Sequence, residues 1–170
     1  MPKQITPLRK SGVTLTRENL LTQDSEEAEP SQLVTNLPME RSVLGACLES
    51  GDELLLAVID DGLKADDFAV SDHQRIFSKM VEMHEKHVPI DLHSVAEALG
   101  RRDGYPLIAD LIVGVVSQRD HVLYHAKVII KLSRLRKLAK LGEWMITSAG
   151  QIDADPQCLL TDTEAHLGRI

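Results

Sequence analysis

The sequence predicts an all-α fold, a small multi-helix globular head followed by a long αα-hairpin. From Asn36 onward the apolar residues recur at helical spacing. A proline-free stretch from Asp120 to Ala149 is long enough for one helix of about 43 Å. The run Leu111–Val116 is β-branched enough for a strand, but no second such run exists to pair with it. We therefore expect helices throughout.

The chain divides into a tail and one domain. Residues 1–35 are polar, contain proline and lack a sustained apolar stripe, so we expect a disordered tail. The head is expected over residues 36–119 and the hairpin over residues 120–170, as parts of the same domain. A chain of 170 residues fits one domain and buries enough surface to need no disulfide or metal.

Two short helices are predicted to open the head. Glu40–Glu49 places its apolar residues on one face, and Glu53–Asp60 is a short apolar helix that Gly62 ends. The acidic pairs Asp60/Asp61 and Asp66/Asp67 flank the turn that follows. They are expected to be helix caps and solvated turn residues.

Three further helices complete the predicted head. Ser71 or Asp72 is expected to cap the first of them, and Asp91 the second. Gly104 is expected to break the chain, and Pro106 suits the first position of the third helix.

The long helix has apolar and small residues spaced alternately by three and four over more than three heptads, which is the spacing of a coiled-coil seam. A shorter helix from about Gln157 would cover only part of this surface, so a second copy of the chain is the economical partner. Leu132, Leu135 and Ile146 are expected to be buried at hairpin contacts. The predicted self-association seam comprises Val128, Leu132, Leu135, Ala139, Gly142 and Ile146.

Charge is distributed unevenly along the chain. The net charge is −7, but residues 121–150 carry six basic residues and one acidic residue. Arg134, Arg136, Lys137 and Lys140 are candidates for contacts with nucleic-acid phosphates or with an acidic partner surface, including the head of another copy. A solvated helix face is the alternative. Because the whole chain is acidic, DNA contact is expected to be weak or indirect.

The sequence offers no sign of catalysis or of a cofactor. It contains no P-loop, no dinucleotide fingerprint and no nucleophile elbow. The histidine pairs His84/His87 and His121/His125 have the spacing of metal ligands, but a metal site needs three or four convergent ligands. The nearby carboxylates, such as Glu82, Glu85 and Asp120, are common to any acidic helix, so no metal site is expected. Aromatic residues make up only 3% of the chain, which argues against base-stacking platforms. No apolar run is long enough for a membrane span, and no signal peptide is visible, so a cytoplasmic protein with reduced Cys47 and Cys158 is expected.

Four blocks follow one another in the sequence: Asn36–Ala46, Leu63–Phe68 with His73–Phe77, Pro89–Asp91 with Val95–Leu99, and His125–Ile129 with Arg136. In this order they resemble the N-terminal domain of the DnaB family of bacterial replicative DNA helicases. The sequence departs from the family pattern at Pro38–Met39, Ala69 and Leu107.

The resemblance implies a non-catalytic assembly domain. In this family hairpins pair into dimers, three dimers form a collar in the hexamer, and primase or a loader docks there. ATP and Mg²⁺ would belong only to a C-terminal motor domain, and the sequence stops about where the family's hairpin gives way to the linker. Two alternatives stay open: a free-standing plasmid- or phage-type regulator that binds helicase or primase, and a DNA-binding module that uses the basic residues 127–140.

Overall fold

The computed structural model describes residues 34–100, 104–112, 118–168 and 170. The predicted tail, apart from Val34 and Thr35, lies outside these residues. Within the described part of the chain the fold is all-α, as predicted, with one 3-10 turn at Ala65–Asp67 and no strand. The helices are α1 (Leu37–Ser50), α2 (Asp52–Asp60), α3 (Ser71–Glu85), α4 (Leu92–Leu99), α5 (Gly104–Ile112), α6 (Arg119–Ala149) and α7 (Pro156–Leu167).

Helix α1 lies at the centre of the head. It packs against α2, α3, α5 and α6, and its side chains from Val43 to Leu48 are buried. Phe68 and Phe77 lie in the same core with ring centroids 5.1 Å apart. The rest of the core consists of aliphatic residues, methionines and Cys47, as the low aromatic content requires.

The helix starts confirm some of the predicted caps and correct others. The Asp91 carboxylate accepts hydrogen bonds from the backbone amides of His93 and Ser94, as predicted. Neither Ser71 nor Asp72 caps α3, however. Ser71 is already the first helical residue, and the cap position is Val70, whose side chain has no hydrogen-bonding group.

Gly104 permits a close approach between α4 and α5. A Cβ at this position would lie 2.1 Å from the backbone oxygen of Ala96, a distance that no other residue could tolerate. Gly104 is the first residue of α5, so it begins a helix where the sequence suggested a break. Pro106 consequently falls at the third helical position instead of the first.

A buried ionisable pair joins α1 to α3. The Glu40 carboxylate is 2.7 Å from Nδ1 of His73 and accepts a 2.8 Å hydrogen bond from the backbone amide of Ala69. Both side chains are almost fully buried. Each polar group therefore depends on the other for the hydrogen bonds that water would otherwise supply.

Asp67 joins the 3-10 turn to the long helix α6. One carboxylate oxygen accepts a 3.0 Å hydrogen bond from the backbone amide of Lys64, and the other accepts a 2.7 Å bond from the Ser133 hydroxyl. The ammonium of Lys137 lies 3.4 Å from the second oxygen. Asp67 caps the 3-10 turn through this bond to the Lys64 amide, as expected of a cap, but it is buried and not solvated. The apolar packing of Phe68 beside it draws the turn into the core.

Arg136 reinforces the same junction from α6. Its guanidinium donates to the backbone oxygen of Val34 at 2.8 Å and to that of Asp67 at 2.6 Å. The planar fork of a guanidinium can reach two acceptors at once, which a lysine ammonium on a flexible stem does less well. We call the contacts of Asp67, Ser133, Arg136 and Lys137 the junction network.

The buried pair should contribute measurably to stability. Glu40→Gln removes the charge opposite His73 and gives the Ala69 amide and the imidazole one weaker acceptor to share, so the free energy of unfolding should fall by about 1–3 kcal/mol. Urea denaturation followed by circular dichroism would measure this fall. Glu85→Gln, the same change at an exposed position of α3, should leave the denaturation midpoint unchanged. Equal midpoints for the two variants would contradict the role of the pair.

Replacement of Arg136 tests the junction network. Arg136→Lys keeps the charge but loses the two-acceptor fork, so we expect a loss of about 1–2 kcal/mol in the free energy of unfolding. The matched control is Arg134→Lys, because Arg134 lies on the same helix and is exposed. If both variants unfold at the same denaturant concentration as the unaltered chain, the two hydrogen bonds do not stabilise the junction.

Candidate functional site

One stripe of helix α6 packs against the head, and an adjacent stripe remains largely uncovered. Its buried residues up to the junction are Val122, Ala126, Ile129 and Ser133, which repeat by four, three and four and face the head. The predicted seam, beginning with Val128 and Leu132, runs one residue behind this stripe. It therefore lies about 100° around the helix from it.

The seam is largely uncovered within one chain. Leu135 is 43% exposed and Ile146 is 78% exposed, whereas Val128, Leu132, Ala139 and Gly142 are partly buried. Helix α7 thus does not cover the seam, and the expected burial of Leu135 and Ile146 is not achieved inside a single chain. Burial between two chains stays a prediction.

Helix α7 completes the hairpin without forming a core of its own. It packs on α6, where the rings of Trp144 and His166 stack with centroids 5.0 Å apart, yet none of its residues is buried. Asp155 caps it by accepting from the Gln157 amide at 3.0 Å. Leu160 is 59% exposed. The hairpin therefore presents apolar surface on both of its helices.

The four predicted basic contact residues do not form one free face. Arg136 and Lys137 belong to the junction network. Lys140 is exposed and borders the same cavity as these two. Arg134 lies apart, in a shallow groove between α2 and α6 with Lys127, whose ammonium is 3.4 Å from an Asp61 oxygen. Contact of any of them with a partner stays a prediction.

Histidines on α6 and α3 are held by neighbouring side chains. His125 lies 3.1 Å from the Ser42 hydroxyl, and its pKa is lowered by burial first and by the nearby charge of His121 second. His84 is 2.8 Å from a carboxylate oxygen of Asp52. Among the residues that the structure describes, no three histidine, cysteine or acidic side chains are placed to share a metal ion.

The two cysteines have different environments. Burial raises the pKa of Cys47 to about 12, so its thiol is protonated at neutral pH. Cys158 is exposed on α7, and its hydrogen bond to Asp155 raises its pKa as well. Both cysteines are free thiols.

None of the described helices is long and apolar enough to cross a membrane.

The sequence alone did not identify Glu40 and Asp67 as buried carboxylates that join elements of the head. Glu40 carries a usable signal, because it occupies the same helical stripe as Val43, Leu44 and Cys47, and a carboxylate on an apolar stripe implies a buried partner. Helical spacing marks Asp67 in no such way, since Asp66 beside it has the same chemistry and is exposed.

Comparison with known proteins finds similarity in both the fold and the sequence. A solved structure, the N-terminal domain of DnaB helicase from Mycobacterium tuberculosis, superposes with a TM-score of 0.69 at 26% identity and covers 81% of this chain and 99% of that one. Replicative DNA helicase DnaC of Bacillus subtilis is 27% identical over 135 residues, which are 76% of this chain and 29% of the relative.

A second relative and a family match agree with these findings. Replicative DNA helicase DnaB of Mycobacterium leprae is 29% identical over 113 residues, which are 63% of this chain and 18% of the relative. The chain thus spans less than a third of the length of these curated relatives. The family described as DnaB-like helicase N terminal domain matches residues 32–131, more than half of the sequence. The chain belongs to the DnaB-like helicase N-terminal domain family.

Proposed function

We propose that this chain acts as the non-catalytic assembly and docking domain of a replicative DNA helicase. It associates with copies of itself through the αα-hairpin and offers a surface to primase or a helicase loader during DNA replication. It needs no cofactor for this role, since ATP and Mg²⁺ chemistry would belong to a motor domain.

The uncovered apolar surface of the hairpin is the observation that carries this proposal. Leu135 and Ile146 on α6, together with Leu160 on α7, expose large apolar side chains on an element with little core of its own. Several large apolar side chains exposed on one element are typical of protein interaction sites. A second hairpin of the same composition supplies matching helices at coiled-coil spacing.

The charge distribution supports docking in addition to self-association. Residues 37–120, which include the head, carry sixteen acidic and eight basic residues, whereas α6 from His121 onward is basic. Either region would attract a partner surface of opposite charge. Charges at the edge of an interface change the association rate more than the affinity.

The self-association seam can be tested at its most exposed residue. Ile146→Asp places a charge where the dimer contact would bury it, so the dissociation constant of the dimer should rise about 100-fold, equivalent to about 2.7 kcal/mol. Sedimentation equilibrium over a concentration series would measure this change. The unaltered chain should show at least twice the monomer mass of 18.8 kDa, and the variant should approach that mass.

A matched control keeps this test specific. Thr147→Asp introduces the same charge one residue away, about 100° around the helix and off the seam, and should self-associate like the unaltered chain. Both variants should keep the helical circular dichroism signal, because both positions are exposed in one chain. A monomeric unaltered chain, or an Ile146→Asp variant of unchanged mass, would show that the seam is not the contact.

Docking is tested separately with purified primase from the same cells. Fluorescence anisotropy should show saturable binding of labelled primase to the 170-residue chain, without ATP or Mg²⁺. Absence of binding to a chain that self-associates normally would remove primase as the partner and leave the assembly role intact.

A further inference from the structure

A polar cavity of about 250 Å³ lies beneath the junction network, where α6 leaves the head. Its walls come from three parts of the chain: the entry to α1, the region around the start of α3, and α6. The lining residues are Thr35, Asp66, Phe68, Ala69, Gln74, Ser133, Arg136, Lys137 and Lys140. The self-association seam does not contribute to it. Neither the predicted seam nor the buried pair explains why polar groups converge here.

The charges around this cavity are predominantly positive. Arg136, Lys137 and Lys140 are on its wall, against the single carboxylate of Asp66. The two hydrogen bonds of Arg136 go to neutral backbone oxygens, so they orient the guanidinium without compensating its charge. Lys137 is balanced by Asp67 at 3.4 Å. Lys140 is exposed and forms no ion pair with the described residues, and this leaves two uncompensated cations opposite one acid.

Donors remain unused on several of these groups. A guanidinium has five N–H donors, of which Arg136 spends two on Val34 and Asp67. Gln74 uses one N–H of its amide on the backbone oxygen of Phe68 at 2.8 Å, and an amide has a second. The Thr35 hydroxyl and the Lys140 ammonium add further donors. A tetrahedral anion with several oxygens can accept from such a set simultaneously.

We propose that this junction cavity binds a small phosphate-bearing anion, either a free phosphoanion or the diphosphate of a nucleotide. The cavity holds an anion of this size, whereas an extended polynucleotide would continue beyond the cavity and meet the acidic head. Because the wall combines the head with α6, a bound anion ties the base of the hairpin to the head. Binding therefore stabilises the native state and raises its melting temperature.

The test is a calorimetric titration of the 170-residue chain with pyrophosphate. Saturable binding is expected, with a melting temperature that rises as pyrophosphate is added. Lys140→Gln should weaken binding about tenfold, equivalent to about 1.4 kcal/mol. Lys140 has no ion pair with the described residues, so this variant should melt at the same temperature as the unaltered chain when pyrophosphate is absent.

Lys131→Gln is the matched control. Lys131 is exposed on the same helix but borders the groove between α2 and α6, so its loss should not change pyrophosphate affinity. Equal weakening by both variants would mean that the charge of the helix as a whole attracts the anion, and would overturn the site. So would an unaltered chain that shows no saturable binding at millimolar pyrophosphate.

Further titrations distinguish the sources of the anion. ADP that binds as tightly as pyrophosphate identifies a nucleotide diphosphate as the ligand class, and pyrophosphate binding with ADP excluded identifies free phosphoanions. A single-stranded oligonucleotide that binds more tightly than either, with the same dependence on Lys140, would overturn the assignment of a small ligand.

Discussion

The structure depends on one constraint, that α6 must be a core helix of the head and a projecting arm at the same time. Its first half is held by apolar burial at Val122, Ala126 and Ile129. After Ser133 that burial stops, apart from Leu141. Where the apolar stripe ends, the junction network holds α6 in place. Ser133 donates to the side chain of Asp67 and Arg136 to its backbone oxygen, and these hydrogen bonds fix the direction of α6 as it leaves the core. A polar clamp suits this position, since one side of it already faces water.

The polar groups inside the head are arranged so that each buried charge has several partners. Glu40 is satisfied by His73 and the Ala69 amide, and Asp67 by the Lys64 amide, Ser133 and Lys137. Both carboxylates fix the connection between α2 and α3, residues 61–70, whose regular structure is limited to the 3-10 turn. An apolar residue at either position could fill space, but it could not hold the backbone amides that this turn leaves unpaired.

The positions of the helices could be predicted from the sequence, but which face of each helix packs against the core was harder to predict. Period and capping residues such as Asp91 located α1 to α7 within a few residues, because both signals are local. Apolar residues on α6 occur on more than one side, as at Val128, Ile129 and Ile130, so spacing alone could not show which stripe faces the head. The Asp67 contacts join residues 66 and 70 positions apart, and no local pattern encodes them. The basic residues were found by composition, and the fold shows that Arg136 lies in the junction whereas Arg134 lies in a different groove.

In the hairpin, the folding of α7 is coupled to association between chains. A twelve-residue helix is marginal in water, and α7 buries no residue against α6 to compensate. Its cap at Asp155 and the stacking of Trp144 on His166 are the specific contacts that hold it. A second hairpin that covered Ile146 and Leu160 would add the burial that one chain lacks. Association would then stabilise α7, and by the same linkage anything that orders α7 would strengthen association. An element whose folding is completed by its partner responds to concentration, and this suits a domain proposed to assemble.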